Sequence, residues 1–248
     1  MSKFFKLKRD NNNYNIFSKK PFTKCYSINK DIVSDSFEFA YNMTFGKSEG
    51  HRSDVSMIQN QGEIFANAFH GKLSEFAFYE MASSHSIKLS EPDVEANNLE
   101  TYDSYDFMIN NKKIAIMSTK YYGNLLLLET KDWNKNGEYV PNISSGTSLY
   151  DYFVLVRLKP STDNILRKKK FFLTDEFEKA DLRNLIMDEN WEYDFLGYVT
   201  IEDLKYIINQ KFVLPKNSML NGKTKMDADN YYIQGNNMRN IEELFREF

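Results

Sequence analysis

The segment around residues 104–118 places the strongest limit on how this chain can fold. Two runs of strand-forming residues, SYDFMIN and KIAIMS, flank the turn-forming step Asn110–Asn111–Lys112. Asparagine tolerates the left-handed backbone that a tight β-turn requires, so the pattern predicts a β-hairpin. Because an isolated hairpin is only marginally stable in water, the chain must add further strands or helices to it.

Helix-type spacing of apolar residues precedes the hairpin and strand-type runs follow it. Residues 31–46 and 62–84 each predict a helix, and Gly46 fits the end of the first one. Residues 124–130 fit a third strand or the start of a helix, because a short apolar run does not distinguish the two. Residues 151–158 predict a buried central strand.

The second half of the chain alternates between helix and strand patterns. Residues 174–188 predict a helix with Thr174 as its N-terminal cap, residues 191–200 a strand, and residues 201–209 a further helix. A hairpin followed by strands with intervening helices indicates an α/β fold. We therefore expect a central mixed β-sheet with helices on both faces.

The chain is expected to divide into three regions. Residues 1–30 form an N-terminal arm, residues 31–213 the core, and residues 214–248 a C-terminal extension that contacts DNA if the protein binds it. The arm is expected to be irregular, because RDNNNYN breaks periodicity and Pro21 stops a helix.

Composition sets the broad class of protein. With 248 residues, 42% hydrophobic and 27% charged, the chain can bury a sizeable core. A single cysteine, Cys25, excludes an internal disulfide and a cysteine-based zinc site, and a cytoplasmic location is expected. No apolar run reaches about 18 residues, so no membrane span is expected. A net charge of −3 means that any nucleic-acid partner must meet a local basic surface.

Candidate ligands for a cation lie on the hairpin and on the helix before it. Side chains of a strand alternate between its two faces. Ile114, Ile116 and Ser118 are therefore expected on one face of the second strand, and Ala115, Met117 and Thr119 on the other. Asp106 stands near the head of the first strand and Glu75 in the preceding helix. The simpler alternatives are that Asp106 caps the strand edge and that Glu75 lies on a solvated helix face.

An Asp at the head of a hairpin, about nine residues before an Asp/Glu-x-Lys step, with a Glu on an upstream helix, resembles the PD-(D/E)xK nuclease superfamily. The resemblance is strongest to type II restriction endonucleases. It covers HGKLSEFAFYEMA, YDSYDFMINNKKIAIMSTKYYGN and DYFVLVRL, with the intervening chain about half of the sequence. It implies a restriction-endonuclease-like fold and Mg²⁺-dependent, sequence-specific cleavage of double-stranded DNA by a homodimer, as in a restriction system.

The resemblance also assigns roles to individual positions. Asp106, Glu75 and the backbone carbonyl of Ile116 would hold Mg²⁺, with an acid at position 115 and a lysine at position 117 completing the site. The chain has Ala115 and Met117 there instead. Alanine offers no side-chain ligand, and a thioether is a poor partner for a hard cation.

Three hypotheses account for this departure. Ala115 is an inactivating change in an otherwise active enzyme, or the chain is a natural DNA-binding pseudo-nuclease, or the lysine role has moved to Lys120. Strand alternation puts Lys120 on the other face unless a bulge intervenes. The favoured expectation is an endonuclease impaired by Ala115, and the alternatives are a pseudo-nuclease and a structural or protein-interaction domain.

Several polar side chains are candidates for DNA contacts because they flank the expected site or lie in turn-rich segments. They are Arg52, Ser118, Lys120, Tyr121, Tyr122, Asn124, Lys223, Lys225 and Asn230. The basic run at 167–172 is expected to be a solvated surface rather than a DNA contact.

Overall fold

The structure, a computed structural model, describes residues 4–46, 61–94, 106–171 and 178–248. Within these ranges the chain has a mixed α/β architecture, with six helices and twelve strands that form three sheets. The predicted α/β class is confirmed. In the part of the chain that is described, no helix has both the length and the apolar character needed to cross a membrane.

A five-stranded mixed sheet forms the centre of the fold. Its order across the sheet is β3 (Tyr26–Ser27), β8 (Glu192–Thr200), β7 (Tyr152–Lys159), β5 (Lys112–Lys120) and β4 (Phe107–Ile109). Strands β5 and β7 are parallel, and the other three pairs are antiparallel. The predicted central strand at 151–158 is confirmed as β7, and the predicted strand at 191–200 as β8.

The predicted hairpin is confirmed as β4 and β5. Phe107 pairs with Ile114 and Ile109 with Lys112, so the connection has two residues. These residues, Asn110 and Asn111, have φ angles of 47° and 63°. Two successive left-handed residues suit the right-handed twist of a hairpin, and asparagine adopts that backbone more readily than most residues.

Five helices cover one face of the central sheet. They are α1 (Lys30–Phe45), α2 (Gln61–Ser84), α3 (Thr162–Lys168), α4 (Lys179–Met187) and α6 (Ile241–Glu247). The apolar cluster between them and the sheet, here the first core, includes Phe37, Phe69, Leu73, Leu182 and Leu244. The predictions of helices at 31–46 and 62–84 are confirmed by α1 and α2.

The opposite face is covered by one helix and a second sheet. The helix is α5 (Ile201–Asn209), and the three-stranded sheet has the order β6 (Leu125–Glu129), β12 (Asn230–Gln234) and β9 (Val213–Leu214). The apolar cluster beneath them, here the second core, includes Leu126, Trp133, Phe153, Val199 and Leu204. The open choice at 124–130 is thereby resolved as strand.

The alternation along β7 shows why both faces must be covered. Val154, Val156 and Leu158 belong to the first core, and Phe153 and Leu155 to the second. Burying an apolar side chain of this size contributes about 1.5–3 kcal/mol. A strand that is apolar on both faces is stable only in the middle of a layered fold.

The N-terminal arm is not irregular as expected. Its strands β1 (Lys8–Asp10) and β2 (Asn13–Asn15) form a four-stranded sheet, here the basic sheet, with β10 (Met219–Leu220) and β11 (Thr224–Lys225). Strand β2 pairs in parallel with β10. The expectation failed because local periodicity carries no information about a partner strand some 200 positions away.

A buried ion pair fixes the remainder of the arm to the central sheet. Arg157 donates from Nε and Nη2 to the two carboxylate oxygens of Asp194, at 2.7 and 2.6 Å. Its guanidinium also donates to the carbonyl oxygens of Lys20 and Pro21, at 2.9 and 2.8 Å. Asp194 in turn accepts a hydrogen bond from the Thr23 backbone N–H at 2.8 Å. One buried cluster therefore holds three residues of the arm, at positions 20, 21 and 23.

Two details of the helices differ from the sequence predictions. Residues 174–177, including the proposed cap Thr174, lie outside the described residues, and α4 begins at Lys179 with Glu178 in the cap position. Helix α3 was not predicted, because its seven residues are too short for a periodic signal. The run from Arg167 to Lys170 at its end is exposed, as a solvated basic surface requires.

Candidate functional site

A cavity of about 330 Å³, here the hairpin cavity, opens beside the hairpin on the second-core face of the central sheet. Asp106, Ala115 and Met117 all line it. Its other polar and aromatic walls include Glu129, Asp132, Trp133, Tyr139, Asn142 and Tyr150. The structure therefore brings together three of the positions selected from the sequence.

The strand geometry that produces this grouping agrees with the predicted alternation. Ile114 and Ile116 contact the first core, and Ala115 and Met117 contact the second. The β5–β7 register runs from Ile114 to Lys120 without a shift. No bulge rotates the end of the strand, so the alternation continues to Lys120.

Asp106 has two roles at the edge of the hairpin. Its backbone N–H donates to the Ile114 carbonyl at 3.1 Å, which extends the β4–β5 ladder by one residue. Its carboxylate Oδ2 accepts the Ile116 N–H at 2.5 Å. One carboxylate oxygen therefore satisfies a strand-edge N–H, as the simpler alternative proposed, while the side chain still faces the hairpin cavity.

Glu75 lies elsewhere. Helix α2 covers the first-core face, and Glu75 makes an ion pair of 2.6 Å with Lys72 on the same helix. The Lys72 ammonium also donates to the Asp93 carbonyl at 2.7 Å and lies 4.2 Å from the centre of the Phe39 ring. Glu75 is not among the residues that line the hairpin cavity, and its helix packs on the first core rather than on the second.

The residues present do not fit the Mg²⁺ site that the resemblance implies. Among the described ranges, no group of three or more His, Cys, Asp and Glu side chains is arranged to hold a metal ion. Ala115 supplies no ligand and the Met117 thioether is too soft for Mg²⁺, which leaves Asp106 as the one carboxylate among the three predicted positions in the cavity. A backbone carbonyl such as that of Ile116 does not hold Mg²⁺ by itself, because the ion needs further oxygen ligands.

Lys120 does not replace the missing lysine at the hairpin cavity. It forms an ion pair with Asp163, a residue of α3 on the first-core face. The hypothesis that the lysine role has moved by three residues therefore lacks the bulge that it requires.

Two carboxylic acids in the hairpin cavity were not selected from the sequence. Glu129 ends strand β6, and Asp132 follows it in a short 3-10 turn. Burial raises the pKa of Asp132, Lys131 lowers it and Glu129 raises it further. An acidic residue directly after an apolar run was the signal that could have identified Glu129.

Tyr150 completes the polar wall of the hairpin cavity. Burial, together with the charge of Asp106 and the neighbouring Tyr139, raises the pKa of Tyr150 to about 12. Its hydroxyl is therefore neutral at physiological pH and acts as a hydrogen-bond donor or acceptor rather than as a base.

The candidate DNA contacts near the hairpin differ in how exposed their side chains are. Ser118 and Tyr122 are exposed, whereas Tyr121 is half-buried and packs edge-on against Phe22. Asn124 is buried, and its side-chain oxygen accepts the Lys20 N–H at 2.8 Å. The Asn124 amide therefore holds the arm in place.

The candidates in the C-terminal extension divide in the same way. Lys223 and Lys225 are exposed at the tip of the basic sheet. Asn230 is buried, and its amide donates to the Ala228 carbonyl at 3.0 Å. Arg52 lies outside the described residues.

A buried histidine lies close to the Lys120–Asp163 pair. His70 on α2 is 6% exposed, and its Nε2 accepts the Thr162 N–H at 3.4 Å. Burial lowers the pKa of His70 to about 4, Asp163 raises it and Lys120 lowers it. His70 is therefore neutral in the folded protein at physiological pH.

We expect this histidine to make the protein acid-sensitive. The pKa of His70 is lower in the folded chain than the usual value near 6.5, so protonation favours unfolding. Its stabilising contribution is complete above pH 6.5 and is lost as the pH falls toward 4. Between pH 7 and pH 5, wild-type protein should lose about 2 kcal/mol more unfolding free energy than the His70→Gln variant. Urea unfolding at the two pH values measures this difference.

The matched control is His85→Gln. The His85 side chain is partly exposed, and hydrogen bonds to the Met81 carbonyl and to Glu242 raise its pKa. That histidine stabilises the fold in acid, so its removal should make the acid loss slightly larger. Equal losses in wild type and His70→Gln would contradict the assignment to His70.

The fold and the hairpin cavity define a class: a mixed α/β protein with a strand-edge carboxylate facing a partly acidic cavity. Comparison with protein-family models, with curated proteins and with solved structures gives no significant match to the chain. A proposal for function therefore depends on the chemistry of the cavity and of the exposed surfaces.

Proposed function

We propose that this chain is a nuclease-like protein that binds double-stranded DNA without cutting it. The observation that carries the proposal is the common location of Asp106, Ala115 and Met117 in one cavity. These are the three positions at which the resembling nucleases carry an acid, a second acid and a lysine. Two of the three side chains needed for metal binding and water activation are replaced here.

The chemistry of the hairpin cavity supports binding without cleavage. Asp106, Glu129 and Asp132 line it, and none of the described residues in its wall is a cation. A phosphodiester group carries a negative charge, so these carboxylates oppose its entry. No lysine is present to orient water or to offset charge at phosphorus. In this proposal the DNA backbone is held elsewhere on the surface.

The basic sheet is the surface that we assign to the DNA backbone. Lys8, Arg9, Lys223 and Lys225 are exposed on its strands and turn. None of the four forms an ion pair with another described residue. Unpaired cations on a local surface are what a chain of net charge −3 needs for contact with phosphates. The homodimer that the resemblance implies would present two such surfaces to a palindromic site.

A salt titration of duplex binding tests the proposal. Wild-type protein should bind a labelled 20-base-pair duplex, and the logarithm of its affinity should fall linearly with the logarithm of salt concentration. The Lys223→Gln/Lys225→Gln double variant should bind more weakly, with the salt slope reduced by about 2, since each phosphate contact contributes about 1. Fluorescence anisotropy from 50 to 200 mM salt measures both quantities.

Lys88→Gln is the matched control. Lys88 is an exposed lysine outside the basic sheet, and its removal should leave the salt slope unchanged. Duplex binding that is absent, or that does not depend on salt, would refute the proposal. That result would favour the remaining alternative, a structural or protein-interaction domain.

A further inference from the structure

A second cavity, of about 490 Å³, lies between the N-terminal arm and the end of strand β12. We call it the arm pocket. The arm contributes Phe5, Lys6, Lys8 and Phe17, and Gln234 and Asn236 contribute from the C-terminal side. The arm pocket shares no lining residue with the hairpin cavity.

The two aromatic side chains of the arm pocket are unusually exposed. Phe5 is 66% exposed and Phe17 is 85% exposed. Neither ring packs on another aromatic ring among the residues that the structure describes. Exposed phenyl rings at the mouth of a cavity leave apolar surface in water, and a ligand that covers them gains the free energy of its burial.

Buried amide groups hold the backbone beneath both rings. Gln234 is 4% exposed, and its side chain donates to the Phe5 carbonyl at 2.7 Å and accepts the Phe17 N–H at 3.3 Å. Asn237 is 3% exposed and accepts the Phe5 N–H at 3.2 Å. The rings are thus carried on a fixed backbone, which reduces the entropy lost when a ligand is bound.

The charges around the arm pocket are of one sign. Lys6 and Lys8 line it, and its lining includes no acidic residue. Lys8 forms no ion pair with a described residue, and Lys6 lies 5.2 Å from the centre of the Phe212 ring. Asn236 adds an exposed side-chain amide, with both donors and an acceptor. A ligand that matches these features has a flat ring, hydrogen-bonding edges and a negative charge.

We propose that the arm pocket binds an unpaired nucleotide of a nucleic-acid strand. The base stacks on Phe5 and Phe17, its edge meets Asn236, and the flanking phosphates meet Lys6 and Lys8. Base stacking on aromatic rings beside lysines is a general mode of single-strand binding. An acidic peptide would satisfy the lysines and leave the exposed rings uncovered. This inference rests on the proposed nucleic-acid function and adds a preference for unpaired bases to it.

The Phe17→Ala variant tests the stacking. Wild-type protein should bind a fluorescently labelled 12-residue oligothymidylate, and the variant should bind it about 5- to 150-fold more weakly. Because Phe17 is almost fully exposed, its removal should leave the thermal midpoint of unfolding unchanged. Anisotropy titrations with both proteins, together with a thermal melt, give the result.

Tyr26→Ala is the matched control, since Tyr26 is another exposed aromatic, 58% exposed, on edge strand β3 away from the pocket lining. It should bind the oligomer like wild type. Lys8→Gln should lower the salt slope by about 0.7, the value for one phosphate contact on a single strand. Equal affinity of wild type and Phe17→Ala for the oligomer would overturn the inference, as would displacement of the oligomer by poly-glutamate at equal charge concentration.

Two further ligands separate the possible sources and the two proposals. Thymidine monophosphate is the first of these ligands. If it displaces the oligomer with the same affinity as the oligomer, and if Phe17→Ala weakens its binding equally, the arm pocket binds free nucleotides by the same stacking. Duplex binding that is unaffected by Phe17→Ala, with oligomer binding reduced, supports both proposals. If duplex binding depends on salt but Phe17→Ala does not weaken oligomer binding, only the inference about the arm pocket is wrong. If Phe17→Ala weakens oligomer binding but the protein does not bind duplex, only the duplex proposal is wrong.

Discussion

Mg²⁺-dependent cleavage of duplex DNA should appear in the double variant Ala115→Glu/Met117→Lys, at a rate at least about 100-fold above that of the wild-type chain. The two substitutions return a carboxylate and a lysine to the cavity that Asp106 already faces. The carboxylate provides a hard oxygen ligand beside Asp106, and the lysine offsets charge at the phosphate and orients the attacking water. Agarose-gel nicking of supercoiled plasmid measures the gain.

The hairpin geometry makes this gain feasible. Positions 115 and 117 already point to the same face, and the cavity of about 330 Å³ leaves room for longer side chains. Glu129 and Asp132 add nearby oxygens that a cation would attract. The single variant Met117→Lys, which lacks the second carboxylate, should remain inactive. An Ala115→Asp version of the double variant tests the shorter acid.

The control is Asp106→Asn in the restored background, which should abolish the gained cleavage because it removes the first metal ligand. Replacing Mg²⁺ with Ca²⁺ should retain DNA binding and suppress cutting. If the glutamate and aspartate versions both fold, as shown by circular dichroism, and neither cuts, the relation of this cavity to a nuclease centre is wrong. Duplex binding by the basic sheet would then stand as a separate property.

Replacing Asp194 with alanine should lower the unfolding free energy by about 3–5 kcal/mol. The side chains of Arg157 and Asp194 are only 2% and 4% exposed, and the pair is joined by two hydrogen bonds. Without the carboxylate, a guanidinium that cannot lose its proton stays buried without a counter-charge. The Thr23 N–H also loses its acceptor. Urea unfolding followed by circular dichroism gives the change.

An exposed ion pair provides the comparison. Glu202 pairs with Lys205 at 2.9 Å with 75% of its side chain exposed, so Glu202→Ala should cost less than about 1 kcal/mol. The double variant Arg157→Met/Asp194→Leu should recover most of the loss, since it removes the buried charge as well. It should also free the Lys20 and Pro21 carbonyls and increase proteolysis of the arm. A loss for Asp194→Ala no larger than that for Glu202→Ala would contradict a buried pair.

The elements that the sequence predicted are those set by local spacing. Helices α1 and α2 and the hairpin follow from apolar periodicity and from two asparagines at the turn, and each of these signals lies within a few neighbouring residues. Strand β6 was ambiguous because its strand character depends on pairing with β12, where Leu126 lies opposite Ile233. The pairing of β2 with β10 could not be predicted from the sequence for the same reason.

The candidate site was predictable to the same extent. Asp106, Ala115 and Met117 meet because two paired strands with a two-residue turn place them together, which requires no knowledge of the rest of the fold. The position of Glu75 depends on which face of the sheet α2 covers. Strand β5 has apolar residues on both faces, so the sequence does not specify that choice. Glu129 and Asp132 reach the cavity only through the tertiary placement of β6.

The pairing of β2 with β10 has a consequence for synthesis on the ribosome. The side chains of Asn12 and Asn13 form hydrogen bonds with the backbone of residues up to 209 positions further along the chain. At about 5–20 residues per second, the partner strand leaves the ribosome roughly 10–40 seconds after the first one. During that interval strand β2 has no β10 to pair with, so this edge of the β1–β2 hairpin stays open. An unpaired strand edge can pair with other chains, so the interval before β10 emerges is the period in which the arm is most open to aggregation.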